Sequence, residues 1–441
     1  MRIRHRSVLI ALLVAVVLWA PVACGGSGGE GDAVGEEAEN DTPTTLRSEE
    51  PIQIVFNAEL SGSLVYDTAL VKKGVRTALQ MLGNQVAGWP IEYREVDNGS
   101  DPLTAIEETR ALVEMDSNGD GKVDDLDREP VDFICGPLSS DSVAGVTFFL
   151  AQNDRERERI PQCSVTGQPR ENIVTAAGLG FIPNGIFSSH GYYLGKFAVE
   201  ELGYKTVNCV HYADRIAEDL QSGFEQGFAL GEDTNIQSVT YVPAGTADFA
   251  SVLATLEPAD CTLFWIRGAG AIQFVRQHAA SGLGGGLLVP MASNYSESQL
   301  EYLNALGIGT GIVACDVYTP LLENPMNTEF IEAFQGLYPG ERPSPEAFGG
   351  WQAVMLYAKG VEEVARLADD GEDVDPRDPA DVIEAMSELT MDTPAGPITM
   401  GQRSKTYVAT RNFYIMRSRD VGGGRIAWAP LYTYTQVRLG G

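Results

Sequence analysis

A run of oxygen-bearing residues between positions 116 and 127 offers the clearest chemistry in this sequence. Loop positions 1, 3, 5, 7, 9 and 12 are, in order, Asp116, Asn118, Asp120, Lys122, Asp124 and Asp127. Carboxylate and amide oxygens from this set, with the backbone carbonyl of Lys122, form the kind of ligand shell that Ca²⁺ prefers. Gly121 allows the sharp turn that such a loop requires. The spacing therefore predicts a Ca²⁺ site, and the alternative is an acidic surface loop without a metal.

The same residues resemble the EF-hand loop pattern D-x-[DN]-x-[DN]-G. The closing Asp127, where Glu is usual, resembles the loops of dockerins, and its shorter side chain predicts a lower affinity. The loop follows a predicted helix and precedes a predicted strand, so only half of an EF-hand would be present. We therefore expect structural Ca²⁺ rather than a calcium sensor.

The chain has 441 residues, with 61 Asp and Glu against 31 Lys and Arg and a formal net charge of −30. Nucleic-acid binding needs a basic surface to neutralise phosphates, and no basic stripe occurs in the sequence. The acidity also disfavours direct contact with anionic membrane surfaces. Hydrophobic residues make up 44% of the chain, so most of it is expected to fold, as roughly two to three domains.

The N-terminus has the pattern of an export signal. Arg2, Arg4 and Arg6 precede an apolar run over residues 8–20. This run is shorter than the roughly 20 residues that a membrane-spanning helix needs, so a signal peptide over residues 1–24 is predicted.

The signal ends in V-A-C-G at residues 22–25, which resembles the lipobox of bacterial lipoproteins, although Pro21 stands where Leu is usual. The resemblance implies lipidation of Cys24, and the alternative is ordinary cleavage near Ala23 without a lipid. Residues 25–50 are rich in glycine and acidic residues, so they are expected to form a flexible linker.

The cysteines could form disulfides, because an exported chain meets oxidising conditions. Those after the signal are Cys135, Cys163, Cys209, Cys261 and Cys315. An odd number leaves at least one unpaired. Cys135 and Cys163 lie in short apolar runs that could form neighbouring strands, so they are the preferred pair; buried free thiols are the alternative.

From residue 52 onwards, short apolar runs alternate with stretches of helical spacing. Repeated strand–helix units predict an α/β fold with doubly wound parallel sheets. The pattern restarts after a break near Pro183, which indicates two lobes. Ligands of such folds bind beyond the C-terminal ends of the strands, so a site is expected in the cleft between the lobes.

Several motifs occur in an order and spacing that resemble one family. They are L-S-G at residues 60–62, D-N-G-S-D-P at 97–102, I-C-G-P-L-S-S at 134–140, T-A-D-F at 246–249 and F-G-G-W-Q-A-V at 348–354. With them, most of the chain resembles the type I periplasmic binding proteins of ABC transporters, in the branch of leucine-type and amide or urea receptors.

The resemblance implies a clamp of two lobes joined by three hinge crossings, which closes on a small molecule and delivers it to an ABC permease. The lobes would comprise residues 51–182 with 318–397, and residues 183–317 with 398–441. The protein would be extracytoplasmic, touching a bacterial membrane only through its lipid, and a monomer or weak dimer. A receptor that signals to a membrane partner would have the same fold, so it remains an alternative.

In this family, two loops of the first lobe hold the carboxylate and the amine of the ligand. The matching residues here are Ser139 and Ser140 in one loop and Ser164 and Thr166 in the other. Ser140 precedes a predicted helix, whose free N–H groups favour an anion; a simple helix cap is the alternative. Tyr66 and Asp67 fall where the family often places an aromatic ring over the ligand.

The second lobe departs from the amino-acid receptors. Ile216 stands where a ligand-facing Tyr is usual, and Ser293 or Asn294 stands where leucine-type receptors use a Glu near the ammonium. Arg267 could pair with a ligand carboxylate or could be a surface arginine. We therefore expect an amino acid, an amide or a small carboxylate as ligand, without leucine specificity.

Enzyme motifs are lacking in the sequence. It has four histidines and no HExxH, GxSxG or P-loop pattern. The G-A-G at residues 268–270 imitates part of a dinucleotide fingerprint, but the third glycine is missing. A binding protein is therefore expected rather than an enzyme.

Overall fold

The computed structural model describes residues 50–113, 131–152, 159–174, 179–403 and 406–437. Its strands are β1 Ile52–Ala58, β2 Gln85–Val86, β3 Trp89–Asp97, β4 Phe133–Cys135, β5 Gln162–Cys163, β6 Gly180–Ile182, β7 Thr206–Tyr212, β8 Asn235–Val242, β9 Cys261–Trp265, β10 Gly286–Val289, β11 Val313–Asp316, β12 Thr390–Met391, β13 Ile398–Thr399, β14 Gln402–Arg403, β15 Thr406–Val408, β16 Arg411–Asp420 and β17 Ile426–Val437. Its helices are α1 Val65–Met81, α2 Pro102–Val113, α3 Ser140–Gln152, α4 Phe187–Glu200, α5 Arg215–Phe228, α6 Ala250–Leu253, α7 Ala269–Ser281, α8 Glu297–Ala305, α9 Pro325–Leu337, α10 Pro345–Asp369 and α11 Pro379–Glu388, with short 3₁₀ helices at Arg170–Val174 and Ala292–Asn294.

Two mostly parallel sheets organise these elements into two lobes. The first sheet has the strand order β14-β15-β6-β5-β4-β1-β3-β2, and the second has the order β17-β16-β11-β10-β9-β7-β8. Strands β1, β3, β4, β5 and β6 pair in parallel, as do β7 to β11. The predicted α/β fold with two parallel-sheet lobes is therefore confirmed.

The central strands are buried along their whole length, because helices cover both faces of a parallel sheet. Every residue of β1, β4 and β9 is buried. Such strands end abruptly at polar loops, and these loops carry the candidate site.

The chain passes between the two sheets three times. It leaves the first sheet after Ile182, returns after Asp316 to helices α9 and α10, and crosses again between Val408 and Arg411. Strand β15 pairs with β6 of the first sheet. The predicted lobe boundary at residues 397–398 is therefore corrected, because strands β14 and β15 belong to the first sheet.

Close helix packing in the second lobe depends on glycine. Helices α4 and α5 pack against each other, with Gly191 and Gly195 on one and Gly223 and Gly227 on the other. A Cβ atom on any of these four would run into backbone atoms of the opposite helix. This contact fixes the N-terminal ends of both helices, which carry residues of the candidate site.

The cysteines differ from the preferred expectation. Cys135 and Cys163 do lie opposite each other on neighbouring strands β4 and β5. All five described cysteines are nevertheless buried free thiols, so the proposed disulfide is absent. Among the described residues, no helix is both long enough and apolar enough to span a bilayer.

Candidate ligand-binding cleft

The first loop of lobe 1 is held by a buried carboxylate. Glu59, fully buried beyond the end of β1, accepts hydrogen bonds from the N–H groups of Leu138 (3.1 Å) and Ser139 (2.9 Å) and from the Thr68 hydroxyl (3.4 Å). Helix α3 begins at the next residue, Ser140. The protein therefore uses its own carboxylate at the N-terminal end of this helix, where an anion is favoured.

The second loop lies directly beside the first. The Thr166 hydroxyl donates to the carbonyls of Leu138 (3.3 Å) and Gly167 (3.1 Å). Buried Ser164 donates to the Thr166 carbonyl (2.8 Å) and accepts from Gln168 (2.7 Å). The structure thus brings all four predicted serine and threonine residues of lobe 1 together, with the Ser164 hydroxyl engaged inside the protein.

Tyr66 and Asp67 lie in the first turn of α1 and face different surroundings. Tyr66 is 65% exposed, whereas Asp67 is half-buried. Burial raises the pKa of Asp67, and the guanidinium of Arg267 opposes this shift. Asp67 of lobe 1 and Arg267 of lobe 2 therefore interact across the cleft, which selects Asp67 of these two residues as the inward-facing candidate.

Arg267 follows the end of β9. Its Nη2 atom lies 3.2 Å from Oδ2 of Asp214, and its Cζ atom lies 5.5 Å from the centre of the Trp265 ring. The indole Nε1–H of Trp265 is buried without a hydrogen-bond partner among the described residues. The end of β9 thus presents an arginine above a tryptophan that has one unused donor.

A small apolar cluster surrounds this tryptophan and is separate from the main core. Phe187, Ala217, Leu220 and Trp265 form it, and Ile216 and Met291 pack against it. Ile216 is the residue that replaces the family's tyrosine. This cluster gives lobe 2 an apolar surface beside the charged end of Arg267.

The predicted pair Ser293 and Asn294 lies in the 3₁₀ helix after β10. The Ser293 N–H donates to Oδ2 of Asp316 (2.9 Å), and the Asn294 amide donates to the Ile266 carbonyl (2.5 Å). The Asn294 amide thus ties together the loops after β9 and β10. Buried Asp316 also has the His190 Nε2 atom 4.0 Å away, at the second hinge crossing.

Glu346 adds a carboxylate that sequence reasoning missed. It lies in the first turn of α10, after the N-cap Ser344, and is half-buried. Burial raises the pKa of Glu346, hydrogen bonds with Ser344 and with its own backbone N–H lower it, and the charges of Asp67 and Asp316 raise it; the resulting pKa is about 7. Glu346 is therefore close to half-protonated at neutral pH.

Arg215, at the start of α5 in lobe 2, connects the lobes directly. Its Nη1 atom lies 2.7 Å from Oδ1 of Asp141 on α3, and it also forms an ion pair with Glu171 of lobe 1. Burial raises the pKa of Asp219, one turn later, and hydrogen bonds with the backbone N–H groups of Ser188 and of Arg170 in lobe 1 lower it. Arg215 and Asp219 of α5 therefore both contact lobe 1.

The sequence analysis missed Glu59, Glu346 and Arg215. One feature of the sequence pointed to Glu59: an acidic residue directly after an apolar strand needs hydrogen-bond donors nearby. Arg215 and Glu346 looked like ordinary charged residues at helix starts, where N-terminal acids are common. Only the approach of the two lobes gives them partners.

Other predicted positions lie outside the described residues. They are the proposed Ca²⁺ ligands Asp116, Asn118, Asp120, Lys122, Asp124 and Asp127, and the lipidation site Cys24. Within the described part of the chain, no group of three or more His, Cys, Asp or Glu residues could hold a metal ion.

The family model for periplasmic binding proteins matches residues 51–424. The chain belongs to the periplasmic binding protein family. The expectation of a binding protein rather than an enzyme is thereby confirmed. No curated protein matches this family member significantly by sequence.

Solved structures of the same fold cover nearly the whole described chain. An ABC transporter substrate-binding protein of Sphaerobacter thermophilus is 22% identical, covers 88% of this chain and 98% of its own, and gives a TM-score of 0.73. A solute-binding protein of Rhodopseudomonas palustris in complex with benzoate is 21% identical, covers 86% of this chain and 97% of its own, and gives a TM-score of 0.68. The branched-chain amino acid transporter substrate-binding protein of Streptococcus pneumoniae, in complex with isoleucine, is 19% identical. It covers 87% of this chain and 99% of its own, with a TM-score of 0.67. At these identities the similarity establishes the fold.

Proposed function

We propose that this periplasmic binding protein is the lipid-anchored, extracytoplasmic receptor of an ABC importer, with an amino acid, an amide or a small carboxylate as its ligand. One observation carries the proposal: charged side chains at helix starts of the two lobes meet each other, as Arg215 of lobe 2 does with Asp141 of lobe 1 at 2.7 Å. A ligand that contacts both sides stabilises closure, because it binds the closed form better than the open form. The closed form is then what the permease would recognise.

The ligands of similar structures support this size and chemistry. The R. palustris protein is described with benzoate and the S. pneumoniae protein with isoleucine. Both molecules combine a carboxylate with a compact apolar group. Lobe 2 offers a matching combination, since Arg267 lies above the apolar cluster around Trp265.

A thermal-shift screen tests the binding function. Amino acids, their amides, and aliphatic and aromatic carboxylates are added separately to the purified chain, and hits are measured by calorimetry. At least one compound is expected to raise the melting temperature, since binding to the native state stabilises it. If no compound in these classes does so, the receptor proposal is wrong.

The lipid anchor is tested separately in cells. Labelled palmitate should be incorporated into the wild-type chain and not into Cys24→Ser, whereas Ser27→Ala, a matched change three residues further on, should be labelled normally. Labelling that persists in Cys24→Ser would exclude this cysteine as the lipid site.

We further propose that the loop at residues 116–127 binds structural Ca²⁺. Ca²⁺ should raise the melting temperature after treatment with EDTA, and Asp116→Ala should abolish this effect because it removes the first ligand. Ser117→Ala, at a position that supplies no ligand in the pattern, is the matched control. Equal responses of the two variants would contradict the assignment.

A further inference from the structure

Arg411 is a fully buried arginine at the end of the third crossing between the lobes. In the first crossing, its Nη1 atom donates to the Pro183 carbonyl (2.6 Å) and to Oδ1 of Asn184 (3.1 Å). In the second crossing, its Nη2 atom donates to the Val317 carbonyl (3.5 Å). One guanidinium group therefore contacts both of the other segments that connect the lobes.

Helix α10 of lobe 1 completes the surroundings of Arg411. The Nη1 atom also lies 3.4 Å from Oε1 of Gln352, and the Cζ atom lies 5.6 Å from the centre of the Phe348 ring. Burial lowers the pKa of Arg411 to about 10, so the guanidinium is still charged at neutral pH. A buried charge is strongly destabilised when its hydrogen-bond acceptors move away. The positions of the crossings and of the guanidinium are therefore linked energetically.

Hydrogen bonds extend from these crossings to a loop of the candidate cleft in each lobe. In lobe 1, the Asn184 side-chain amide donates to the carbonyl of Val165 (3.1 Å), in the second loop. In lobe 2, Asp316 accepts from its neighbour, the Val317 N–H (2.7 Å), and from the Ser293 N–H (2.9 Å). The arginine is thus connected to both sides of the cleft through the residues that it contacts in the crossings.

The hydrogen bonding around the guanidinium is incomplete. The Nε atom of Arg411 and the Nε2 atom of Gln352 are buried without a partner among the described residues. The lobes are in contact in this same conformation, through Arg215 and Asp141. Because unpaired buried donors are unfavourable, a movement of the crossings that offers them new acceptors offsets the loss of existing bonds. This favours two alternative arrangements of the network over a single rigid one.

We propose that Arg411 sets the balance between contacting and separated lobes, by holding the first and second crossings together in the contacting form and releasing the Val317 carbonyl when the lobes separate. A bond present in only one conformation shifts the equilibrium towards that conformation. Arg411 is a positioning residue, because it acts through the backbone of the crossings. The inference goes beyond the proposed function, since it concerns the protein without ligand and holds for any ligand class.

The variant Arg411→Lys tests this role, because it replaces two donor nitrogens with one and cannot keep a separate nitrogen on each crossing. Spin labels on Glu107→Cys of α2 and Gln226→Cys of α5 report the distance between the lobes by pulsed EPR without ligand. Both labelled positions are exposed, whereas the described native cysteines are buried. The ratio of separated to contacting lobes should rise about tenfold, as expected for the loss of a hydrogen bond from a charged group.

Two further variants complete the experiment. Arg419→Lys, the same change at an exposed position of β16, should leave the distances unchanged. Asn184→Ala keeps the arginine and removes one of its acceptors, so it should shift the populations in the same direction by a smaller factor. This second variant decides the question if circular dichroism shows that Arg411→Lys does not fold.

An arginine with a merely structural role would give a different result. Urea unfolding of Arg411→Lys would then show a lower midpoint, while the distances between the lobes would remain those of the wild type. Unchanged distances in the folded variant, or a shift to shorter ones, would overturn the inference. Neither result bears on the thermal-shift screen, which tests the receptor function separately.

Discussion

Two glutamates show how differently one residue type can be used at the same cleft. Glu59 is fully buried, yet it accepts three hydrogen bonds and thereby fixes the loop before α3. Glu346 is only half-buried, but Asp67 and Asp316 raise its pKa together with burial. The first fixes the loop, and the second keeps part of its surface exposed.

Glu346 should therefore lower the stability of the unliganded protein at alkaline pH. Its pKa rises from 4.5 to about 7 on folding, so the folded state binds the proton more tightly and the free energy of unfolding falls as pH rises through this range. Glu346→Gln should be more stable than the wild type by about 1–2 kcal/mol at pH 8, after allowance for solvent screening. The difference should disappear near pH 4.5. Urea unfolding without ligand measures both values, and an equal difference at the two pH values would contradict the prediction.

At the scale of the element, helices α4 and α5 are positioned by contact between their backbones. Gly223 lies against the Ser188 carbonyl, and Gly227 lies against the Tyr192 carbonyl. This packing places Phe187 and Ser188 at the start of α4 beside Asp219 of α5, whose Oδ2 atom accepts from the Ser188 N–H (2.7 Å). The lobe 2 side of the cleft thus depends on glycines that are buried between the two helices.

Gly223→Ala should destabilise the protein by at least about 2 kcal/mol, because the added methyl group would force the two backbones apart. Gly336→Ala, in helix α9 with open space around its Cβ position, is the matched control and should be neutral or stabilising by up to about 1 kcal/mol. Urea unfolding of both variants makes the comparison. Similar stabilities of the two variants would show that α4 and α5 can move apart without lowering the free energy of unfolding.

At the scale of the whole molecule, Arg215 of lobe 2 forms ion pairs with lobe 1. Its partners Asp141 and Glu171 both belong to lobe 1. All three side chains are about half exposed, so each pair contributes only about 0.2–1 kcal/mol. That amount is enough to shift an equilibrium between open and closed forms severalfold.

Arg215→Ala should weaken ligand binding about two- to tenfold by destabilising the closed form. The variant should also have a larger radius of gyration in X-ray scattering and a smaller dependence of affinity on salt, because surface ion pairs are screened. Arg366→Ala, whose ion pairs lie within one helix, is the control. An unchanged affinity and radius of gyration would show that the Arg215 contacts do not influence closure.

Some residues of the candidate site could be predicted from the sequence, and others could not. The apolar strands before residues 59, 136, 164 and 267 predicted the loops that carry the site, since parallel strands end at one edge of a sheet. Ser139, Ser140, Ser164 and Thr166 were identified from motifs within those loops. Glu346 and Arg215 were not, because their partners Asp67 and Asp141 are distant in sequence and meet them only across the folded chain.

The sequence by itself determined the fold class, because alternating strand and helix patterns are local and repeat along the chain. It also predicted the Ca²⁺ loop and the lipid anchor, whose evidence is the spacing of neighbouring residues. Tertiary structure alone decided that strands β14 and β15 join the first sheet, that Cys135 and Cys163 remain thiols, and that Glu59 accepts hydrogen bonds from the N–H groups of the serine loop. It also decided the charge distribution of the cleft, because electrostatic interactions depend on distances between elements rather than on their order in the chain.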